Sequence, residues 1–351
     1  VFFAYPIEAA TDNWLHDCVS DLLRRDMDDL DAEAARTAWP ECISVDCRET
    51  LRRYTRLEQL RSGLLDQYQL LPPGDRAAIR QAMDDQDALT ELFEGNRAAH
   101  RLQDLPNDAR GPLKHLFEKA FEMLTRLGIR DNNYKVFLAL VEHRICGFCG
   151  CEYFSGASSK REPLDHYLAI SLYPFAGANA RNLVPMGPKC NSSYKGAQDI
   201  LRDDHGARRL CFDPYAAAPV QISLVGSQLF ARDDGLPQWQ VDLVGDAARI
   251  ETWDAVFDIK KRIAEDHLDS IYKNAIRVMG TFRHKQPQIF AGLDLAGAFR
   301  HLGDLSRAKG WSDRAFLETA LYDLLAARSQ AGDDEAVRIE AEFANAALAV
   351  S

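Results

Sequence analysis

Apolar residues recur at helical spacing through the first 140 or so positions of the chain. The clearest stripe runs from Pro112 to Leu127, where Leu113, Leu116, Phe117, Ala120, Phe121, Leu124 and Leu127 share one face. Pro112 suits a first turn there, and Gly128 can end the helix. Breaks are expected at Pro72-Pro73-Gly74, Gly95-Asn96 and Leu105-Pro106-Asn107. From about 141 to 215 this periodicity gives way to Gly, Ser, Cys, Pro and Asn. Two β-like runs follow, Val220 to Phe230 and Gln238 to Val244, around the turn-forming Asp233-Asp234-Gly235. A long helix is then predicted from Trp253 to about Met279, carried by Val256, Ile259, Ile263, Ile271, Ala275 and Val278, with Thr252 as its cap and Gly280 as its stop. Another is expected from Arg314 to about Ser329.

The pattern predicts a mainly α protein with a small α+β insert. It divides into a helical N-terminal domain (1–140), a central unit (141–215) and a C-terminal β-hairpin and helical domain (216–351). Apolar residues at 46% and charged residues at 27% exclude a disordered or collagen-like chain. No apolar run is long enough for a membrane-spanning helix, since charges such as Glu142 and Arg144 interrupt the best candidates. The opening Val1-Phe2-Phe3-Ala4-Tyr5-Pro6 does not read as a signal peptide, and a cytoplasmic location is expected.

Eight cysteines are too few for a disulfide framework, and four of them (Cys146, Cys149, Cys151 and Cys190) fall within 45 positions. A local thiolate site in a reduced protein is the better reading. The formal charge of −11 argues against a generally basic nucleic-acid coat. Between Arg144 and Arg209, however, nine basic residues stand against six acidic ones, a local reversal that favours an anionic ligand.

The chemistry concentrates between Cys146 and Gly196. Cys146-Gly147-Phe148-Cys149 has the C-x2-C spacing that turns two thiolates onto one metal, and Cys190 offers a third sulfur. Asp165-His166 sets a hard oxygen ligand beside an imidazole that can act as a base, and Asn182 and Asn191 follow at loop-like spacing. A lone C-x2-C also suits a non-catalytic zinc knuckle or a thioredoxin-type redox pair. The redox reading needs a strand before the pair and a helix after it, and the pattern here supplies neither.

Taken jointly, Cys146, Cys149, Asp165, His166, Asn182, Cys190, Asn191 and Lys195 resemble the HNH endonuclease family, especially bacterial members with a DHYLP-type core, some of which act in anti-phage defence. The resemblance implies a ββα-metal motif with a zinc loop at the centre of the chain, and hydrolysis of DNA to 5′-phosphate and 3′-hydroxyl ends. It assigns His166 as general base, Asp165 and Asn191 as ligands of one Mg²⁺ or Mn²⁺, and Asn182 as a brace for the loop between the strands. Cys146, Cys149 and Cys190 would hold zinc, while Lys195, Lys189 and Arg181 would meet phosphates. Two positions depart from the pattern: Ala169 replaces the usual proline, and Gly187 stands where a further cysteine is expected. The fourth zinc ligand is then sought among His143, Cys151, Cys211 and water, and a Gly187→Cys change is expected to tighten zinc binding.

The contrasting reading is an inactive zinc-loop adaptor that binds nucleic acid or protein. Intact Asp165, His166 and Asn191 favour the enzyme, and Gly187 favours the adaptor. Because the flanking regions are acidic or neutral, they are expected to mediate homodimerisation or docking to a partner protein of a defence system, with the stripe from Trp253 to Met279 as the packing element.

Overall fold

The computed structural model describes residues 1–156, 164–285 and 287–349. Lys160, Arg161 and Glu162, counted in the local charge reversal, lie outside these residues. Among the described residues there are thirteen α-helices and two two-stranded sheets, a mainly helical fold with little β structure.

The N-terminal region winds α1 (Trp14–Asp31), α2 (Val45–Leu51), α3 (Thr55–Tyr68), α4 (Pro73–Asp87), α5 (Leu89–Phe93), α6 (Asn107–Arg126) and α7 (Ile129–Leu140). The expected breaks fall between these helices. Helix α6 starts earlier than its stripe suggests, so Pro112 lies inside it and forgoes one backbone hydrogen bond. Gly128 ends it at φ 75°, a left-handed position that glycine takes without strain. Leu113, Leu116, Phe117, Ala120 and Leu124 are buried, with Phe121 and Leu127 packed at the edge. Helix α6 packs on α3 and on the 3₁₀ turn Pro174–Ala178 of the central unit. Phe117 meets Phe175 of that turn edge-on at 5.2 Å.

The central unit carries β1 (Leu164–His166) and β2 (Leu183–Pro185), which pair antiparallel with Asp165 opposite Val184 and His166 opposite Leu183. A seven-residue helix, Lys189–Lys195, follows β2 directly. Beyond it, β3 (Gln221–Ser223) and β4 (Asp242–Val244) pair antiparallel, so the expected hairpin forms over three residues at the outer ends of its two runs, with one further bridge between Gln228 and Gln238. Then come α8 (Ala247–Phe257), α9 (Ile259–Ile263), α10 (Asp269–Lys285), α11 (Leu295–Ala308), α12 (Ala315–Gln330) and α13 (Asp334–Ala349).

The single helix expected from Trp253 to Met279 is not formed. Helix α8 begins six residues earlier, capped by the Asp246 carboxylate on the Arg249 N–H, while Thr252 bonds back to Ala248. The chain breaks at Asp258 (φ 53°, ψ 42°), a residue type that tolerates the left-handed region, and α10 runs past Gly280. The expected dimer stripe is consumed inside the chain: Val256, Ile259, Ile263 and Ala275 are buried, and α10 packs on α13.

One hydrophobic cluster runs from the N-terminal residues through the central unit to the C-terminal helices. The first five residues knit these parts together. The Phe2 N–H donates to Gly147 O at 2.8 Å, and the Phe2 ring meets Trp253 edge-on at 4.8 Å. Tyr5 is buried; its hydroxyl accepts from the Gly147 N–H at 2.8 Å and donates to Pro185 O at 2.9 Å. It thereby joins the C-x2-C turn to the end of β2. Tyr5→Phe leaves one buried N–H and one buried carbonyl without this partner, so urea unfolding should show a loss of about 1–3 kcal/mol. A loss below about 0.5 kcal/mol would show that the bridge is dispensable.

Candidate metal centre and active site

The residues from Cys146 to Glu152 form a tight knuckle. The Cys146 N–H bonds to Glu152 O at 2.7 Å, Gly150 N–H to Cys146 O at 2.8 Å, and Cys151 N–H to the Cys149 sulfur at 3.4 Å. No helix follows the cysteine pair through residue 156, which removes the thioredoxin-type reading. Trp253 Nε1 donates to Phe148 O at 3.1 Å, and the Phe148 ring stacks on Phe257 at 4.9 Å, so α8 fixes the knuckle from outside.

Cys190, at the start of the Lys189–Lys195 helix, faces this knuckle. One ligand atom from each of Cys146, Cys149, Glu152 and Cys190 lies within 4.8 Å of the others, and the cluster could hold one metal ion. The fourth member is therefore Glu152, in place of His143, Cys151, Cys211 or water. Burial pushes the Cys146 thiol up, whereas hydrogen bonds from the Cys146 and Cys190 thiols hold Cys149 well below the ordinary range. Sulfurs this close and this deeply buried invite a cation.

Gly187 explains how a glutamate came to stand there. A Cβ built on Gly187 would lie 2.5 Å from Glu152 Oε2 and 2.7 Å from Glu152 Cβ. The carboxylate thus occupies the space that a cysteine at 187 would need. Its oxygens also accept the N–H groups of Lys189 at 2.9 Å and Cys190 at 3.1 Å, fixing the start of the helix. The expectation that Gly187→Cys alone tightens metal binding is overturned, because the new side chain would collide with the ligand already in place.

The second cluster surrounds β1. His166 is buried, with its ring 4.2 Å from that of Phe121 on α6. Its Nε2 pairs with Gly177 O at 2.8 Å, and because a carbonyl only accepts, Nε2 carries the proton and Nδ1 keeps its lone pair. Nδ1 lies 3.9 Å from the Asp165 carboxylate, which is 30% exposed. Burial drives the His166 pKa down to about 4, so the ring is neutral at ordinary pH.

Asn182 is fully buried and touches backbone alone. Its amide donates to Leu168 O at 3.0 Å and Ala176 O at 3.1 Å, and its oxygen accepts from Leu168 N–H at 2.7 Å. It ties down the loop whose Gly177 carbonyl orients His166. Asn191 and Lys195 share the short helix, which is wound wide enough for Gly196 N–H to reach Asn191 O at 2.8 Å. The Asn191 amide makes no hydrogen bond among the described residues, whereas Lys195 is 1% exposed with Nζ on Gly196 O at 3.0 Å. Burial lowers the Lys195 pKa, and the Asp165 charge acts against that shift.

The other basic residues divide. Lys189 is exposed, but Arg181 is paired with Asp213 and lies over Tyr215, away from a free phosphate contact. Arg202 and Arg208 donate to backbone carbonyls at Ala99 and Leu92. Part of the positive excess read from the sequence is therefore engaged with the chain's own acceptors. Sequence reasoning missed Glu152 and also Arg262 of α9, whose Nη1 lies 3.3 Å from the Cys190 sulfur. A glycine in place of the fourth cysteine, with a carboxylate three positions after Cys149, was the available signal for Glu152. Arg262 left no local one.

Exchange of ligands tests the cluster. Gly187→Cys and Glu152→Ala should each lower metal affinity about 10–100-fold, the first by collision and the second by loss of a donor. The double variant, with room for the new sulfur, should bind more tightly than either single change. Equal or weaker binding by the double variant in a chelator competition would refute the shared-space account.

Compared with known proteins, the chain matches no family model, no curated protein and no solved structure, so its functional reading rests on this geometry.

Proposed function

We propose that the protein is a metal-dependent endonuclease of the ββα-metal kind that hydrolyses DNA phosphodiester bonds. The observation that carries the reading is the order β1, β2, helix around one antiparallel pair. Asp165 and His166 lie on β1, the helix that bears Asn191 and Lys195 follows its partner β2, and the same helix begins at a thiol cluster. Each part of the joint sequence pattern thus has a distinct physical task.

In the thiol cluster the donor set fits zinc, which takes sulfur and carboxylate oxygen in tetrahedral sites. Metal–sulfur bonds of about 2.3 Å would set neighbouring sulfurs about 3.8 Å apart, inside the 4.8 Å within which the four ligand atoms lie. Zinc there would be structural, since Cys146, Cys149, Cys190 and Glu152 would supply all four donors. At β1, Asp165 is partly exposed and the Asn191 amide makes no hydrogen bond among the described residues, so their oxygens suit a hard cation, Mg²⁺ or Mn²⁺. That cation would supply charge stabilisation at the scissile phosphate.

The chain's own residues supply the rest. His166 Nδ1 takes the proton of the attacking water, because Nε2 is already held by Gly177 O and the ring is neutral. Phe121 and the Asn182-braced loop keep the imidazole from turning. Lys195 brings a buried positive charge to the anionic substrate, and exposed Lys189 is placed for a backbone phosphate. Arg181, engaged with Asp213, has no part in this account. No helix among the described residues is long and apolar enough to cross a membrane.

Purified protein incubated with supercoiled plasmid and Mg²⁺ or Mn²⁺ should nick it. His166→Ala should slow nicking about 10²–10⁴-fold while DNA binding and far-UV circular dichroism stay unchanged. Asp165→Ala and Asn191→Ala should regain part of their activity as Mn²⁺ is raised. Nicking by His166→Ala at the wild-type rate would reject the assignment, and DNA binding without any cutting by wild-type protein would favour the adaptor.

A further inference from the structure

Arg262 stands apart from the other arginines. It is 6% exposed, in the five-residue helix α9, yet it reaches into the central unit. Its Nη1 is 3.3 Å from the Cys190 sulfur and 3.2 Å from Phe257 O, its Nη2 is 3.8 Å from Glu152 Oε2, and its guanidinium lies 4.1 Å over the Tyr194 ring. The left-handed Asp258 aims it there: Asp258 redirects the chain between α8 and α9, and its carbonyl accepts the Arg262 N–H at 3.0 Å.

Charge counting gives this contact its meaning. Three thiolates and one carboxylate carry four negative charges, and a divalent ion cancels two of them. A doubly negative centre in a buried site is costly unless a positive group is bonded to it. Arg262 touches two of the ligands, Cys190 and Glu152, through a planar fork that lysine lacks. An N–H directed at a ligand sulfur also withdraws electron density from the metal–sulfur bond.

We propose that Arg262 is the charge partner of the metal cluster, and that through Cys190 and Tyr194 it is a positioning residue for the Lys189–Lys195 helix. This rests on the metal reading of Cys146, Cys149, Glu152 and Cys190. It makes the C-terminal helices part of the metal site, although all four ligands come from the central unit. A guanidinium that merely filled space would leave the electronic state of the cluster untouched.

The test uses the full chain loaded with cobalt(II), whose sulfur-to-metal charge-transfer bands report on the ligand sulfurs. Wild type, Arg262→Met, Arg262→Lys and Tyr194→Leu are compared for band position and for the rate of cobalt loss to EDTA. Arg262→Met should shift the bands and lose cobalt about 10–100-fold faster. Arg262→Lys should fall between it and wild type, and Tyr194→Leu, which frees the fork from its stacking ring, should shift in the same direction as Arg262→Met. Should Arg262→Met fail to fold, Tyr194→Leu decides by the same two readouts. Wild-type bands and wild-type release in the variants would overturn the role of Arg262 while leaving the metal reading intact. A wild-type chain that takes up cobalt without sulfur bands would overturn both.

Discussion

Glu152 lies over a glycine, and the arrangement of the central unit depends on that close approach. Its carboxylate fills the volume beside Gly187 that any larger residue would need. From there it faces the Cys149 sulfur at 3.8 Å, accepts the first N–H groups of the Lys189–Lys195 helix, and meets Arg262 from α9. A loop, a helix and a distant part of the chain are thus set by one side chain. Without the carboxylate, a cluster of three sulfurs has no fourth donor, and the start of the helix loses two hydrogen bonds.

The same logic extends from the knuckle to the imidazole. The central unit is too small to hold a core of its own, so its geometry is borrowed from its neighbours. Helix α6 presses Phe117 on Phe175 and Phe121 on His166, Tyr5 couples Gly147 to Pro185, and Trp253 holds Phe148. Asn182 converts this packing into a fixed Gly177 carbonyl and hence a fixed imidazole tautomer. Rigid support of this type is what a base needs if its lone pair is to meet a water at one position.

Local signals carried a good part of this. The stripe of α6, the hairpin around Asp233-Asp234-Gly235, and α12 close to its expected span follow from periodicity and turn chemistry, which act over a few residues. The grouping of Cys146, Cys149 and Cys190 was readable because the C-x2-C spacing is one that suits metal ligation. Three things were not. Asp258 breaks a stripe that continues smoothly in sequence, because buried residues on α8 and α9 keep a helical period across the turn. Glu152 and Arg262 act through space across 38 and 72 positions respectively; the spacing of Glu152 after Cys149 was a faint signal, and no local pattern marks Arg262. The basic count of the central unit misled because Arg181, Arg202 and Arg208 bond to the chain's own acceptors, and composition does not distinguish a free charge from an engaged one.

The central claim is that three sulfurs and one glutamate oxygen surround a single metal ion and fix the site helix. X-ray absorption at the metal edge of the zinc-loaded chain reads this coordination directly. The account predicts three sulfurs at about 2.3 Å and one oxygen at about 2.0–2.2 Å, with the oxygen shell replaced by a fourth sulfur in the Glu152→Ala, Gly187→Cys double variant. A first shell of nitrogen and oxygen alone, or an oxygen that persists unchanged in that double variant, would contradict it.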